Sequence, residues 1–217
     1  RLEAAWLEDD GLGRWLAPLG WLVARVSALR RAAWQRRWRT PVDVGVPVVV
    51  VGNLVAGGAG KTPVVLAIVA ALQAAGHRPG IVSRGYGGRT GASGGTNGVL
   101  EVEENTPAHR TGDEPLLLRR RSGCPVVVGA DRVAAAQALR AAHPTLSVIV
   151  SDDGLQHRRL ARSVEIIVFD ERGVGNGRCL PAGPLREPMP ARAPDASVVV
   201  YNADQPSTHW NGRPLHR

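Results

Sequence analysis

Lys61 is the only lysine among 27 basic residues, and it stands in the stretch Gly57-Gly58-Ala59-Gly60-Lys61-Thr62. An apolar run, Val46 to Val51, precedes that stretch, and a helix-like segment, Pro63 to Leu72, follows it. Strand, glycine loop, Lys-Thr and helix in this order are the layout of a phosphate-binding P-loop. Lysine reaches the β- and γ-phosphates as a compact point charge, where the planar fork of arginine fits poorly. The hydroxyl of Thr62 suits Mg²⁺. Gly57, Gly58, Ala59 and Gly60 let backbone N–H groups approach phosphate at the positive end of the following helix. The usual loop has glycine five residues before Gly60, and here that position is Val55, so the shorter Gly-Gly-x-Gly-Lys-Thr form fits better.

The rest of the chain reads as strands alternating with helices. Apolar runs at Gly80–Ser83, Val99–Val102, Pro125–Gly129, Leu146–Val150, Val164–Asp170 and Ser197–Asn202 predict strands, with helices after Thr111 and from Asp131 to about Ala142. Six to seven strands in this pattern predict an α/β fold: a P-loop NTPase-type, doubly wound, mostly parallel sheet. At 217 residues and 44% hydrophobic content the chain can bury one large core. Cys124 and Cys179 match no metal pattern and read as incidental thiols of a reduced setting.

Charge is concentrated at one end. Between Gly11 and Val42 lie seven arginines and no acid, which accounts for nearly all of the net +8. The remainder is close to neutral, which argues against a nucleic-acid groove over the core. Five of the six tryptophans (Trp6, Trp15, Trp21, Trp34 and Trp38) fall in the first 38 residues. Leu19, Leu22, Val23, Val26, Leu29 and Ala33 recur at helical spacing, with Pro18 suited to the first turn. Arg25, Arg30, Arg31, Arg36, Arg37 and Arg39 supply the positive charge. The longest uncharged run, Trp15 to Ala24, is too short to span a bilayer. Residues 1–40 thus read as a basic, amphipathic, membrane-associating segment and 41–217 as the P-loop core. The same pattern also suits a helix packed on the core with its arginines in solvent.

Several segments offer chemistry. Ser151-Asp152-Asp153-Gly154 closes an apolar strand, and aspartates at such a tip hold Mg²⁺ or orient its water. Arg84 and Arg89 suit phosphate, and Tyr86 suits a sugar or lipid head group, on a loop long enough to be functional or simply mobile. The acidic pair Asp113-Glu114 suits either a helix N-cap or a site. His157 suits either a substrate or phosphate contact or a structural role.

Taken in order, Val51-Gly52-Asn53-Leu54 with Gly57 to Pro63, Ser83-Arg84-Gly85-Tyr86-Gly87-Gly88, Gly112-Asp113-Glu114-Pro115, Ser151 to His157, and Asn176-Gly177 with Leu180 to Pro188 resemble the tetraacyldisaccharide 4′-kinases (lipid A 4′-kinases). The irregular P-loop with Val55 fits that family. The resemblance implies an ATP-dependent lipid kinase acting on the 4′-hydroxyl of tetraacyldisaccharide 1-phosphate to give lipid IVA. It implies work at the cytoplasmic face of the inner membrane of Gram-negative bacteria, as a peripheral protein. ATP and Mg²⁺ are the implied cofactors, a lipid and a membrane surface the implied partners, and no nucleic acid or obligate protein partner is expected. By the same resemblance Asp113 is the catalytic carboxylate and Lys61 with the loop glycines holds phosphate. Thr62, Asp152, Asp153 and Glu187 surround the metal, and Arg84, Tyr86, Gln156 and His157 contact substrate or nucleotide.

A histidine of the family's C-terminal lobe is expected to pair with the catalytic aspartate. His209 and His216 match no motif for it. The chain starts at Arg1 rather than Met and is expected to stop before that lobe is complete, with nucleotide binding but poor turnover. A membrane-associated P-loop ATPase switch is the competing reading. The single lysine argues against a GTP switch, whose Asn/Thr-Lys-x-Asp motif needs a second one.

Overall fold

The computed structural model describes residues 6, 11–36, 38, 40–85 and 98–215, apart from the side chains at 12 and 35. Tyr86, Arg89 and His216 lie outside the described residues. In chain order the first elements are α1 (Gly11–Trp15), α2 (Ala17–Gln35), β1 (Val48–Gly52), α3 (Lys61–Ala74), β2 (Pro79–Ser83) and β3 (Val99–Glu101). There follow α4 (Ala108–Thr111), α5 (Asp113–Ser122), β4 (Val126–Gly129), α6 (Arg132–Ala142) and β5 (Val148–Asp152). The last are β6 (Val164–Asp170), β7 (Ser197–Asn202) and β8 (Arg213–Pro214). The fold is α/β with mostly parallel pairing. The two-residue β8 goes beyond the six to seven strands expected, because so short a strand leaves no periodicity to read.

The chain divides into two units. One comprises Pro41–Gly52 and Lys61–Glu165. Its strands run in the order β3-β4-β2-β5-β1. β2 pairs parallel with β4 and β5, β5 pairs parallel with β1, and β3 closes the edge antiparallel to β4. Every residue of β2, β4 and β5 is buried. That matches the Val/Ile runs of β4 and β5, as for strands covered on both faces. Complete burial of each such side chain contributes about 1.5–3 kcal/mol.

Two helix starts in this unit differ. α6 is capped by Asp131, whose carboxylate accepts from the backbone N–H groups of Val133 and Ala134. α5 begins directly at Asp113 after Gly112 (φ 88°), and no side chain caps it. The acidic pair Asp113-Glu114 is therefore not a capping device, although it still suits the helix dipole. Gly123 (φ 67°) ends α5 in the left-handed conformation glycine adopts without strain.

The other unit comprises Arg1–Thr40, Asn53–Gly60 and Ile166–Arg217. The strand order here is β6-β7-β8. Phe169 stacks on Tyr201 and meets Trp210 edge-on, both at 5.9 Å between ring centroids. The Tyr201 hydroxyl donates to Trp210 O at 2.6 Å, so the buried polar tip is satisfied. α2 carries its proline in the first turn. Trp21 and the leucines of α2 point outward, as do Trp15 of α1 and Trp38, whereas Trp34 is half-buried. Trp15 is 86% exposed, Leu29 71% and the following Trp38 73%, and Leu19, Trp21, Leu22 and Val26 are exposed too. Val23 and Ala33, from the same expected apolar face, are half-buried. Arg25 lies over Trp21 at 4.8 Å and Arg36 over Trp38 at 5.8 Å, both as cation–π contacts. Among the described residues no helix is long and apolar enough to cross a membrane.

Candidate active site

The side chains expected to act on phosphate and acceptor lie mostly in the unit built on β1, β2 and β5. The parallel register sets Val51 opposite Asp152, so the strand leading to the glycine loop runs beside the strand carrying the aspartates. Lys61 opens α3, and its Nζ stands 3.5 Å from Asp153 Oδ1, with both side chains largely shielded. Asp153 has φ 49°, the one non-glycine residue in the left-handed region among those described. Aspartate tolerates that conformation better than most residues, and strain of this kind collects at functional turns.

Asp152 is 1% exposed. Its Oδ2 accepts from Ser83 Oγ at 3.0 Å, while Oδ1 is buried with no hydrogen-bond partner. Burial, then the negative charge of Glu114, push its carboxyl up to about 6, with Ser83 and Lys61 working against the shift. An orphaned buried carboxylate oxygen is costly unless something arrives to satisfy it. A cation does so. Among the described residues, no three His, Cys, Asp or Glu side chains converge to hold a metal. The carboxylates of Asp152 and Asp153 and the hydroxyl of Thr62 are oxygen donors of the kind a hard cation such as Mg²⁺ takes alongside phosphate and water ligands.

Thr62 donates its hydroxyl to Glu114. Thr62, Asp113, Glu114, Leu116, Leu117 and Arg120 line a cleft of about 510 Å³. Asp113, exposed at the start of α5, faces this cleft beside the threonine of the P-loop. The apolar rim from Leu116 and Leu117 contrasts with the carboxylates beside it.

Arg132 is the residue the sequence reading missed. It is 1% exposed, and its guanidinium donates to Gly129 O at the tip of β4 and to Asp152 O at the tip of β5. Because β2 runs between those two strands, Arg132 spans the tip of β2 as well. Burial lowers its pKa to about 10, against the pull of Asp152 and Asp153, so it remains a cation at neutral pH. Its signal in the sequence was slight: an arginine after an N-cap aspartate. His157 is half-buried. Burial, then the charges of Arg132 and Arg84, lower it to about 4, so its imidazole is neutral. Arg84 is exposed at the end of β2, and Gln156 is half-buried near His157.

The glycine loop and Glu187 belong to the other unit. Gly57 (φ 100°) and Gly60 (φ 73°) both adopt conformations that exclude most side chains. A Cβ on Gly60 would also collide with the Asn202 amide. Arg172 Nη2 donates to Gly58 O at 3.1 Å and pairs with Asp170 Oδ2 at 2.6 Å, which fixes the loop's carbonyl side. Ala59 is buried. Val55 is buried and bridges Leu185 in antiparallel fashion. That packing explains why the usual glycine is replaced there. Glu187 is buried and accepts from Arg31 at 2.9 Å.

Comparison with known proteins identifies the family of the chain. The tetraacyldisaccharide-1-P 4′-kinase (LpxK) family model matches residues 12–213. A tetraacyldisaccharide 4′-kinase of Leptothrix cholodnii is 55% identical over all of this chain and 61% of its own length. That of Methylibium petroleiphilum is 54% identical over all of this chain and 59% of its own. That of Thiobacillus denitrificans is 52% identical over 87% of this chain and 56% of its own. The chain thus spans about three fifths of the length of the curated relatives it matches. A crystal structure of an "apo" form of LpxK from Aquifex aeolicus in complex with ATP aligns with TM-score 0.76 and 29% identity, over 94% of this chain and 63% of that one. On the breadth of the family match and the identity of these relatives, the chain belongs to the tetraacyldisaccharide-1-P 4′-kinase family.

Proposed function

We propose that the protein is an ATP-dependent lipid kinase that phosphorylates the 4′-hydroxyl of tetraacyldisaccharide 1-phosphate, giving lipid IVA. The observation that supports this most is the shared cleft of Thr62, Asp113 and Glu114. It sets a carboxylate beside the phosphate-binding threonine, with apolar leucines at the rim. Membership of the kinase family and the ATP complex of the Aquifex aeolicus relative support ATP as the donor.

In this reading Lys61 and the backbone of Gly57–Gly60 hold the nucleotide phosphates. Asp113 accepts the proton of the attacking 4′-hydroxyl as that oxygen bonds to the γ-phosphorus and the bond to the departing ADP oxygen breaks. Positioning and charge stabilisation supply most of the rate. Thr62, Asp152 and Asp153 are the residues that would hold Mg²⁺, which when bound neutralises charge developing on the phosphates, while Glu187, expected among them, is paired with Arg31. Arg84, Gln156 and His157 contact substrate or nucleotide, the neutral imidazole of His157 as a hydrogen-bonding group rather than a cation, and the family motif assigns Tyr86 to the same task. Residues 1–40 associate with an anionic membrane surface, and 41–217 form the kinase core. The exposed Trp15, Trp21, Leu22 and Leu29, interleaved with arginine, support an interfacial helix at the inner membrane's cytoplasmic face.

The test is consumption of Mg-ATP by the full-length protein with and without tetraacyldisaccharide 1-phosphate. A kinase consumes ATP only with the acceptor. Equal consumption in its absence would favour an ATPase switch.

A further inference from the structure

Arg31 differs from the other arginines of the basic helix. Its Nη2 donates to Glu187 Oε2 at 2.9 Å and to Pro188 O at 2.8 Å. Its Nε is buried without a hydrogen-bond partner. The charge is therefore turned inward, away from the exposed Trp/Leu face. α2 also presses its backbone on the same loop: a Cβ on Gly20 would lie 2.7 Å from Cys179 O and 2.8 Å from Ala182 Cβ. Trp6 adds two bonds, Nε1 to Pro181 O at 3.1 Å and Asn176 N to its carbonyl at 2.8 Å.

The loop so fastened is paired in turn with the chain leading into the phosphate loop. Ala56 N donates to Pro184 O and Arg186 N donates to Leu54 O, each at 2.7 Å, around the Val55–Leu185 bridge. Gly57 is the next residue. A continuous path of hydrogen bonds and chain, all within one unit, runs from the outward-facing helix to the glycines that receive phosphate.

We propose that Arg31 is a positioning residue that locks the 184–188 segment to α2, so that seating α2 on an anionic lipid surface orders the 54–60 loop and tightens its grip on nucleotide phosphate. The proposal rests on the interfacial reading of α2 given above. Linkage makes it reciprocal, since bound nucleotide must tighten lipid binding by the same factor. Lipid can shift the loop only by as much as it prefers the locked arrangement.

The experiment measures ATP affinity of the full-length protein with and without phosphatidylethanolamine–phosphatidylglycerol vesicles, for wild type, Arg31→Lys and Arg31→Met. Vesicle co-sedimentation is read in the same samples. Vesicles are expected to tighten wild-type ATP binding about fivefold. Arg31→Met should keep its lipid-free ATP affinity and its vesicle binding while losing that increment. Arg31→Lys, able to reach one acceptor of the two, should keep part of it. A purely structural role would instead weaken lipid-free affinity and melting temperature together and leave the vesicle increment intact. The proposal is overturned if Arg31→Met retains the full increment, or if wild type binds vesicles with no increment. In the latter case the interfacial reading still stands. Failure of wild type to bind vesicles removes that reading and this proposal together.

Discussion

Lys61 Nζ lies 3.5 Å from Asp153 Oδ1, so the single lysine of the chain faces the aspartate that follows β5. The desolvation of two such largely shielded charges offsets most of their attraction, so the net contribution of the pair to stability is small. Its replacement should therefore separate folding from function. Lys61→Ala is expected to melt within a few degrees of wild type and to lose at least about a hundredfold in phosphate transfer. Thermal melts beside initial rates check this, and a large fall in melting temperature would assign Lys61 a structural task instead.

Two groups near the strand tips, the buried Asp152 and the half-buried His157, titrate in opposite senses. Asp152 has its folded pKa raised to about 6, so the native state holds an extra proton between about 4 and 6. Its contribution to stability is present at low pH and is lost as pH rises through about 6. His157 has its folded pKa lowered to about 4, so its contribution is present above about 6.5 and is lost as pH falls toward 4. The two offset each other in the wild type. Asp152→Asn should fall more steeply than wild type on acidification from pH 6.5 to 4, and His157→Gln should gain relative stability over that window. Urea melts at several pH values test this, and parallel profiles for all three proteins would contradict it.

Asp152→Asn should also stabilise the ligand-free protein at pH 7, by on the order of 2 kcal/mol, because it replaces a buried carboxylate whose Oδ1 has no partner. The same change should remove the Mg²⁺ requirement for tight nucleotide binding together with the activity. Stability and function then move in opposite directions, as expected of a site kept unsatisfied for its ligand. A destabilised Asp152→Asn protein would count against the orphaned oxygen as a ligand position.

Arg132→Met leaves Gly129 O and Asp152 O without their donor in a fully buried place. A cost of about 3 kcal/mol follows. Denaturant titration checks it, and a change under about 0.5 kcal/mol, typical of surface sites, would mean the arginine is dispensable.

Gly60→Ala meets two obstacles, a φ of 73° and the Asn202 side chain. Adding Asn202→Ala should relieve the collision but leave the left-handed strain of about 1–2 kcal/mol. The double variant is thus expected between wild type and Gly60→Ala in melting temperature. Full recovery would show that sterics alone demand glycine there.

The strands and the phosphate loop were legible because each leaves a local signature: an unbroken Val/Ile run, or glycines ahead of Lys-Thr. Asp152 and Asp153 were legible as acids at a strand tip. Arg132 was not, because its significance depends on strand order, which brings the tips of β4 and β5 within one guanidinium's reach across β2. The role of Val55 was hidden for the same reason, since Leu185, its partner, lies far along the chain. The inward turn of Arg31 toward Glu187 could not be told from periodicity, which assigns it to the same basic set as Arg25 and Arg30. Asp113 remained ambiguous in sequence because an aspartate before a helix usually caps it. Only the absence of a cap bond separates it from Asp131.

The most direct measurement is transfer of labelled γ-phosphate from ATP to tetraacyldisaccharide 1-phosphate in micelles with Mg²⁺, using the full-length protein and its Asp113→Ala and Lys61→Ala variants. The account predicts labelled lipid from the wild type and loss of at least about a hundredfold in each variant. Release of labelled phosphate without labelled lipid, or full transfer by Asp113→Ala, would contradict it.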